Sequence, residues 1–314
     1  YMKNISGVGP DDFADVDYLA GRVSMVIDLA DNLENYTILT FNDSENNGNS
    51  GRIEDSFPTG ATGYGESAQK VINQLAGTDV WTVFNNFSKD TGFEDPKSEL
   101  NSWQLINTTT WEVQDNLTIK NIISYAELEA VSNQDPYGTG NFQLGTSFNG
   151  LPVPAEYQGK YVGFASLISN GTIANQYTFT EELRVEGLAF DERMQWQAGI
   201  YYENSDALDP SGTSGNSGGI YCDDVRSLEC EDIQGAITGI EGRLGSFQWQ
   251  DASSEITNLG IYAQTSFDIT DKLGATAGIR YTKDKTESET HLGLIRFPDK
   301  NDPAMYCLSP GGPF

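Results

Sequence analysis

The sequence predicts an all-β protein: an antiparallel transmembrane β-barrel, here a partial barrel of about eight strands with short periplasmic turns and long extracellular loops. Three observations predict it. Asp-containing turns, Asp31-Asn32-Leu33, Asp115-Asn116-Leu117, Asp191-Glu192-Arg193 and Asp271-Lys272-Leu273, recur at spacings of 84, 76 and 80 residues. The segments flanking them alternate apolar and polar side chains, the period of a strand with two different faces. The connections between hairpins, residues 43–101, 132–175 and 204–254, are long, mostly aperiodic and rich in Gly, Asn, Ser and Asp. A compact soluble domain seldom carries structureless loops beyond ~12–15 residues. Tight turns at one end and long loops at the other is the layout of an outer-membrane barrel.

Each hairpin is legible in order. Asp and Asn tolerate the backbone angles of short hairpins and hydrogen-bond their own backbone, so each turn has a mechanism. Before the first turn Leu19, Gly21, Val23, Met25, Ile27 and Leu29 share one face, with Arg22, Ser24 and Asp28 on the other. Around 35–42 and 117–128 the alternation is poor. Gln176, Thr178, Thr180, Glu182, Arg184 and Glu186 form an unbroken polar face. That run suits a wet lumen or a polar plug within it, to which Arg184, with Glu182 or Glu186, would bond. After the third turn Met194, Trp196, Ala198, Ile200 and Tyr202 oppose Gln195, Gln197, Gly199, Tyr201 and Glu203. In the last hairpin Leu259, Ile261 and Ala263 oppose Gly260, Tyr262 and Gln264, and the return strand sets Ile279 and Tyr281 against Arg280 and Thr282. Paired runs of ~10–14 residues exceed the usual globular strand and cross a bilayer at a tilt. Within the first loop Ser67 to Ala76 predicts a short helix, capped by Ser67 and stopped by Gly77.

In hydrocarbon every backbone N–H and C=O must be paired within the protein, so strands cross only as a closed sheet. One face then meets lipid and the other the lumen, where Arg22, Glu182, Arg184, Glu186, Gln195, Gln197, Gln264 and Arg280 are expected. Trp111, Tyr125, Trp196 and Tyr202 lie near predicted strand ends, the place of interfacial aromatic girdles.

Composition narrows the function classes. With 18 basic against 46 acidic side chains the formal charge is −28 and the pI about 4.1. Such a field repels phosphate backbones and excludes nucleic-acid partners. No stretch approaches the ~18 apolar residues of a transmembrane helix. No charged, apolar leader follows Tyr1, which is read as truncation and not as the mark of a cytosolic protein. The chain starts and stops inside what look like external loops, so residues 1–314 are expected to be the middle of one longer barrel domain, with plug and both barrel ends missing.

At the residue level the chain resembles the TonB-dependent outer-membrane receptors. Thr180-Glu181-Glu182-Leu183-Arg184-Val185 followed by Gly199-Ile200-Tyr201-Tyr202-Glu203 resembles a hairpin common in them. Tyr262-Ala263-Gln264-Thr265-Ser266-Phe267, Asp271-Lys272-Leu273 and Ala277-Gly278-Ile279-Arg280-Tyr281-Thr282 resemble the next. The resemblance implies a 22-stranded barrel blocked by an N-terminal plug, in the outer membrane of a Gram-negative bacterium. It implies a partner, the TonB complex of the inner membrane, energising uptake of an iron–siderophore, cobalamin or oligosaccharide ligand, with outer-membrane lipid around the barrel. It implies no enzyme and no cofactor.

The remaining residues are weighed on their own chemistry. Cys222 and Cys230, eight apart in a loop facing an oxidising exterior, predict a local disulfide, with Cys307 left over. No Cys/His spacing suggests zinc. Loop residues 201–255 hold eleven acidic against two basic side chains, and a solvated acidic surface accounts for that. Asp43-Ser44-Glu45-Asn46-Asn47-Gly48 echoes a calcium loop but has Glu at its third position. Gly215-Asn216-Ser217-Gly218-Gly219 fits G-x-S-x-G without the strand, helix and partner histidine a hydrolase needs, His291 being the single histidine. Tyr64, Trp81, Phe84, Tyr157, Tyr161 and Tyr221 are the loop aromatics available to stack on a sugar or chelate. A passive porin, a secreted glycan-binding adhesin and a barrel protease or lipase are the rival classes.

Overall fold

The computed structural model describes residues 1–55, 64–87, 95–133, 142–148, 150–162, 172–217, 220–224, 229–239 and 245–297. Eight long strands pair in chain order into one antiparallel ladder: β1 (Tyr18–Ala30), β2 (Leu33–Asn46), β3 (Lys97–Gln114), β4 (Leu117–Asn133), β5 (Thr172–Ala189), β6 (Met194–Ala207), β7 (Ser246–Thr270) and β8 (Leu273–Arg296). A ninth strand, Ser211–Ser217, resumes the course of β6 and pairs the upper part of β7 through Ser211↔Ala252 to Ser217↔Ser246. The strands run well past the predicted ends, to 24 and 25 residues in β8 and β7. Residues 246–254, expected as part of the long connection 204–254, are ladder: β7 pairs β8 without a break from Ser246↔Arg296 to Asp268↔Gly274.

The turns differ from expectation in an instructive way. Among the described residues only Ala14, Phe190, Asp191 and Glu192 combine a side chain with positive φ. Asp31-Asn32, Asp115-Asn116 and Asp271-Lys272 therefore turn without left-handed backbone. Each sits beside a one-residue register shift, between Asp28 and Ala30, Glu112 and Gln114, and Asp268 and Thr270. A bulge adds the local twist that a right-handed turn lacks. The third turn, Phe190 to Arg193, takes the other solution, with three consecutive positive φ values.

The turns are also tied sideways. The Asn32 amide donates to Glu112 O at 2.9 Å while Glu112 N donates to Asn32 O at 2.9 Å. Asn116 does the same with Leu188, at 3.2 and 3.0 Å. Arg193 donates to Asp268 O at 2.8 Å and Ile269 O at 2.7 Å, and its guanidinium lies 5.6 Å over the Phe267 ring. Asn116→Ala removes a donor and strands the Leu188 carbonyl. We expect a loss of about 1 kcal/mol in urea titration of the folded protein, and a comparable loss for Asn32→Ala.

The described parts of the long connections pack together, against the expectation of aperiodic loops. Leu144, Phe148, Val153, Tyr157 and Val162 from the second connection share a buried core with Ile233 and Ile237 of the third. Phe87 of the first joins Ile220, Phe247 and Phe297. The loop helix α1 spans Tyr64–Leu75, so Ser67 lies inside it and is not its cap, while Gly77 turns the chain at φ +79 as expected. A second helix, α2 (Ile233–Thr238), is capped by Asp232, whose carboxylate accepts from Gly235 N at 2.7 Å. The first four residues of the calcium-like motif continue β2 as ladder. They form no coordinating loop.

Candidate functional site

The register carries side-chain parity from strand to strand, because directly paired residues point to the same face. Following it from β1 to β8 places Arg22, Glu182, Arg184, Glu186, Gln195, Gln197, Gln264 and Arg280 on one face. A cavity of about 410 Å³ opens on this face at the turn end, lined by Thr118, Glu186, Gln195, Gln197, Gln264 and Ser266. We call it the inward face.

Its centre is an ionic network spread over β4 to β8. Lys120 Nζ meets Glu186 Oε1 at 2.5 Å and Arg184 Nε meets Glu182 Oε1 at 3.5 Å, all four side chains half-buried. The Tyr262 hydroxyl donates to Glu182, and Tyr201 donates to Glu203 Oε2 at 2.7 Å. Gly199 makes room for the first of these contacts: a Cβ there would stand 2.6 Å from the Tyr262 hydroxyl oxygen and 2.7 Å from its ring. At Gly260 likewise, an added Cβ would stand 2.9 Å from Nη2 of the Arg280 guanidinium. Arg22 donates to Tyr36 OH at 3.2 Å and Ser24 Oγ at 3.3 Å, and Arg280 to Thr282 Oγ1 at 3.1 Å. Sequence reading missed Lys120, Tyr201 and Tyr262 as members of this network. Parity alone could have found the two tyrosines. Lys120 lies in a stretch that alternates poorly.

The opposite, outward face exposes large apolar side chains, interrupted by polar groups that pair with one another, such as Asn121 donating to Glu181 at 3.2 Å and Trp103 to Glu127 at 2.9 Å. Val23 is 63%, Ile200 50% and Ile279 76% exposed. Trp111, Tyr125, Trp196 and Tyr202 all stand on it. Trp111 and Trp196 lie close to the turns as expected, whereas Tyr125 and Tyr202 are mid-strand because the strands run beyond their predicted ends. Tyr125 packs with Trp103 and Tyr177 at centroid distances of 5.4 and 5.8 Å. Trp103 and Trp111 are separated by roughly 20 Å of tilted strand, close to the height of an apolar band. The poor alternation of β2 has its cause here. Asn35, Thr37, Asn107 and Thr109 face outward and satisfy one another, Asn35 donating to Asn107 Oδ1 at 3.0 Å and Asn107 to Thr37 Oγ1 at 2.7 Å.

The loop aromatics are dispersed. Trp81 is exposed and Phe84 half-buried. Tyr157 is buried in the core shared by the second and third connections. Tyr221 lies at its edge, with the Lys160 ammonium 3.8 Å over its ring and its hydroxyl donating to Asp223 at 2.8 Å. The side chains of Tyr64 and Tyr161, and all of Cys307, lie outside the described residues. Cys230 is disulfide-bonded, and its register partner across the hairpin Ile220–Asp224 and Glu229–Asp232 is Cys222.

His291 stands about 18 residues beyond the last turn, above the spanning part of β8. Its Nδ1 lies 2.8 Å from Asp251 Oδ1 and its Nε2 3.3 Å from Glu289 Oε1. The hydrogen bond to Asp251, then the charges of Asp251 and Glu289, hold its pKa above the ordinary 6.5. A raised folded-state pKa stabilises below the unfolded value and loses that contribution as pH rises through the folded one. We therefore expect an NMR titration of His291 centred above 6.5, and amide protection on the Asp251–His291 rung that falls as the pH rises through that midpoint.

With this geometry established, known proteins offer a direct comparison. The chain resembles the ferric yersiniabactin uptake receptor FyuA from Yersinia pestis at a TM-score of 0.50 and 13% identity, covering 95% of this chain and 34% of that one. It resembles the siderophore receptor PiuA from Acinetobacter baumannii at a TM-score of 0.38 and 12% identity, covering 95% and 42%. The chain thus spans well under half the length of either. No curated protein sequence matches it. Residues 29–303 match the family described as TonB dependent receptor-like, beta-barrel, whose members are transport receptors and not enzymes, and to this family the chain belongs.

Proposed function

We propose that the protein is an outer-membrane receptor for energised uptake of a scarce nutrient in a Gram-negative bacterium. Residues 1–314 would contribute the middle of one barrel domain, and a plug and the TonB complex would act from outside this segment. One observation carries the reading: a single ladder exposes apolar side chains on one face and holds ion pairs on the other, with tied turns at one end and folded connections at the other. The inward face, with Arg22, Glu182, Arg184, Glu186, Gln195, Gln197, Gln264 and Arg280, would line the lumen and meet plug or ligand. Trp81, Phe84 and Tyr221 are the described loop aromatics placed to touch a ligand in the external cap. Burial of Tyr157 favours a packing role for that ring. Membership of the family and the fold shared with FyuA support the uptake role; the identity of the nutrient is a separate question.

The third connection would be clamped by a Cys222–Cys230 disulfide, since the two Cα positions face each other directly. Closing so short a loop stabilises by about 2.5 kcal/mol in the chain-entropy account. Peptide mapping without reductant should recover residues 222 and 230 in one cross-linked product.

Bilayer insertion and transport are tested separately. In vesicles of brominated lipid, single-tryptophan variants retaining Trp111 or Trp196 should be strongly quenched, and one retaining Trp81 should not. Equal quenching of all three would count against the membrane reading. In whole cells, uptake through the full-length receptor should stop when the inner-membrane gradient is collapsed. Uptake that persists would indicate a passive pore.

A further inference from the structure

We infer that the connections of this segment form one interlocked lid, which opens and closes as a single body instead of loop by loop. Its links run from one connection to the next. The residues ahead of β1 are joined to the first connection by parallel pairing, Lys3↔Thr82 and Asn4↔Val83. Buried carboxamides reinforce that joint: Asn85 N donates to Asn4 Oδ1 at 3.0 Å, and Asn4 Nδ2 donates back to Asn85 O at 2.8 Å. The Asn85 side chain in turn accepts from Phe87 N at 2.9 Å, which holds the backbone of Phe87 in place. Phe87 then shares a core with Ile220 of the third connection and with Phe247 and Phe297 at the upper end of the last hairpin.

The hairpin of Ile220–Asp224 and Glu229–Asp232 is the key of this lid. Successive side chains of a strand point to opposite sides. Ile220, fully buried, belongs to the Phe87 core, while Tyr221 packs against the second core, that of Phe148, Tyr157, Val162 and Ile233. Cys230, which is disulfide-bonded, packs on the Phe87 side. Lys160 of the second connection places its ammonium 3.8 Å over the Tyr221 ring. At the far end of the hairpin Asp232 caps α2, whose Ile233 and Ile237 sit in the second core. One short hairpin thus has a core on each side. Lifting any connection strips apolar partners from the next, and packed cores move between discrete arrangements instead of deforming continuously. A solute or partner that displaces one connection therefore displaces the others with it. The interlock holds whatever the barrel carries.

Hydrogen exchange in the full-length receptor, held in lipid vesicles, tests the interlock. At alkaline pH, where each opening is read as it occurs, peptides covering 82–87, 153–162 and 230–237 should share one opening rate. The three should agree within about twofold and exceed the rate of ladder residues 183–200. Ile220→Ala removes the buried side chain that joins Phe87 to the hairpin. It should speed exchange in all three peptides together, by about thirtyfold at neutral pH, and leave 183–200 unchanged. Unequal opening rates in the unmodified receptor overturn the interlock, as does a rise confined to 230–237 in the variant. The rates of the unmodified receptor decide the matter if the variant does not reach the membrane. Exchange needs no transport, so failure of gradient-dependent uptake would remove the uptake reading and leave these rates standing.

Discussion

Ile200→Lys should destabilise the barrel in a bilayer by about 2–4 kcal/mol, the cost of a cation facing the membrane midplane. Ile200 is half exposed, stands on the outward face of β6 and is flanked in register by Leu183 and Ile261, themselves 47% and 51% exposed. The same substitution on a soluble protein would be close to neutral, because a lysine at an exposed strand position is at home in water. The sign of the effect thus separates the two environments. Urea titration of vesicle-inserted protein, read by the heat-modifiable shift on gels, measures it. Gln197→Lys, three residues away on the inward face, serves as the control and should change stability by less than about 0.5 kcal/mol. Equal costs for the two would mean that the ladder does not divide oil from water.

Gly199→Val should cost about 2–3 kcal/mol for a different reason. The new Cβ would occupy the space of the Tyr262 ring, whose phenol bonds Glu182 beside Arg184. Tyr262 must leave, its hydrogen bond is lost, and the strain of overpacking is added. In a Tyr262→Ala background the site is already open, so the same substitution should cost under about 1 kcal/mol. The difference is the coupling between the two positions. Purely additive costs would show that Gly199 answers to something other than the ring above it.

How much of this was legible in the sequence depends on what wets each residue. The turns and the strands beside them were readable because the two faces of the ladder differ in polarity and so enforce period two, as in Met194, Trp196, Ala198 and Ile200. Farther from the turns that difference lapses. The upper halves of β7 and β8 are ladder as regular as the rest, with Asp251 opposite His291 and Glu255 opposite Glu287, yet their residues read as loop. β2 was obscured by the reverse effect, since its outward Asn35 and Thr37 are satisfied by Asn107 and Thr109 of β3, 70 or more residues away in sequence. The inward face followed from parity once register was fixed. The pairing of Lys120 with Glu186, and of Tyr262 with Glu182, could not be read, because it needs the shear of neighbouring strands. Nor did the loops announce their shared core: Phe148, Tyr157 and Ile237 are isolated apolar residues in polar sequence and become a core only in three dimensions.

The sideways ties at the turns have a mechanical consequence. Asn32, Asn116 and Arg193 each grip the strand end of the following hairpin, so the turn ends from β2 to β7 are linked in series and do not stand as a row of separate fingers. A pull delivered to one turn would load neighbouring hairpins together, so this end of the ladder would resist splaying and the wall would keep its shape.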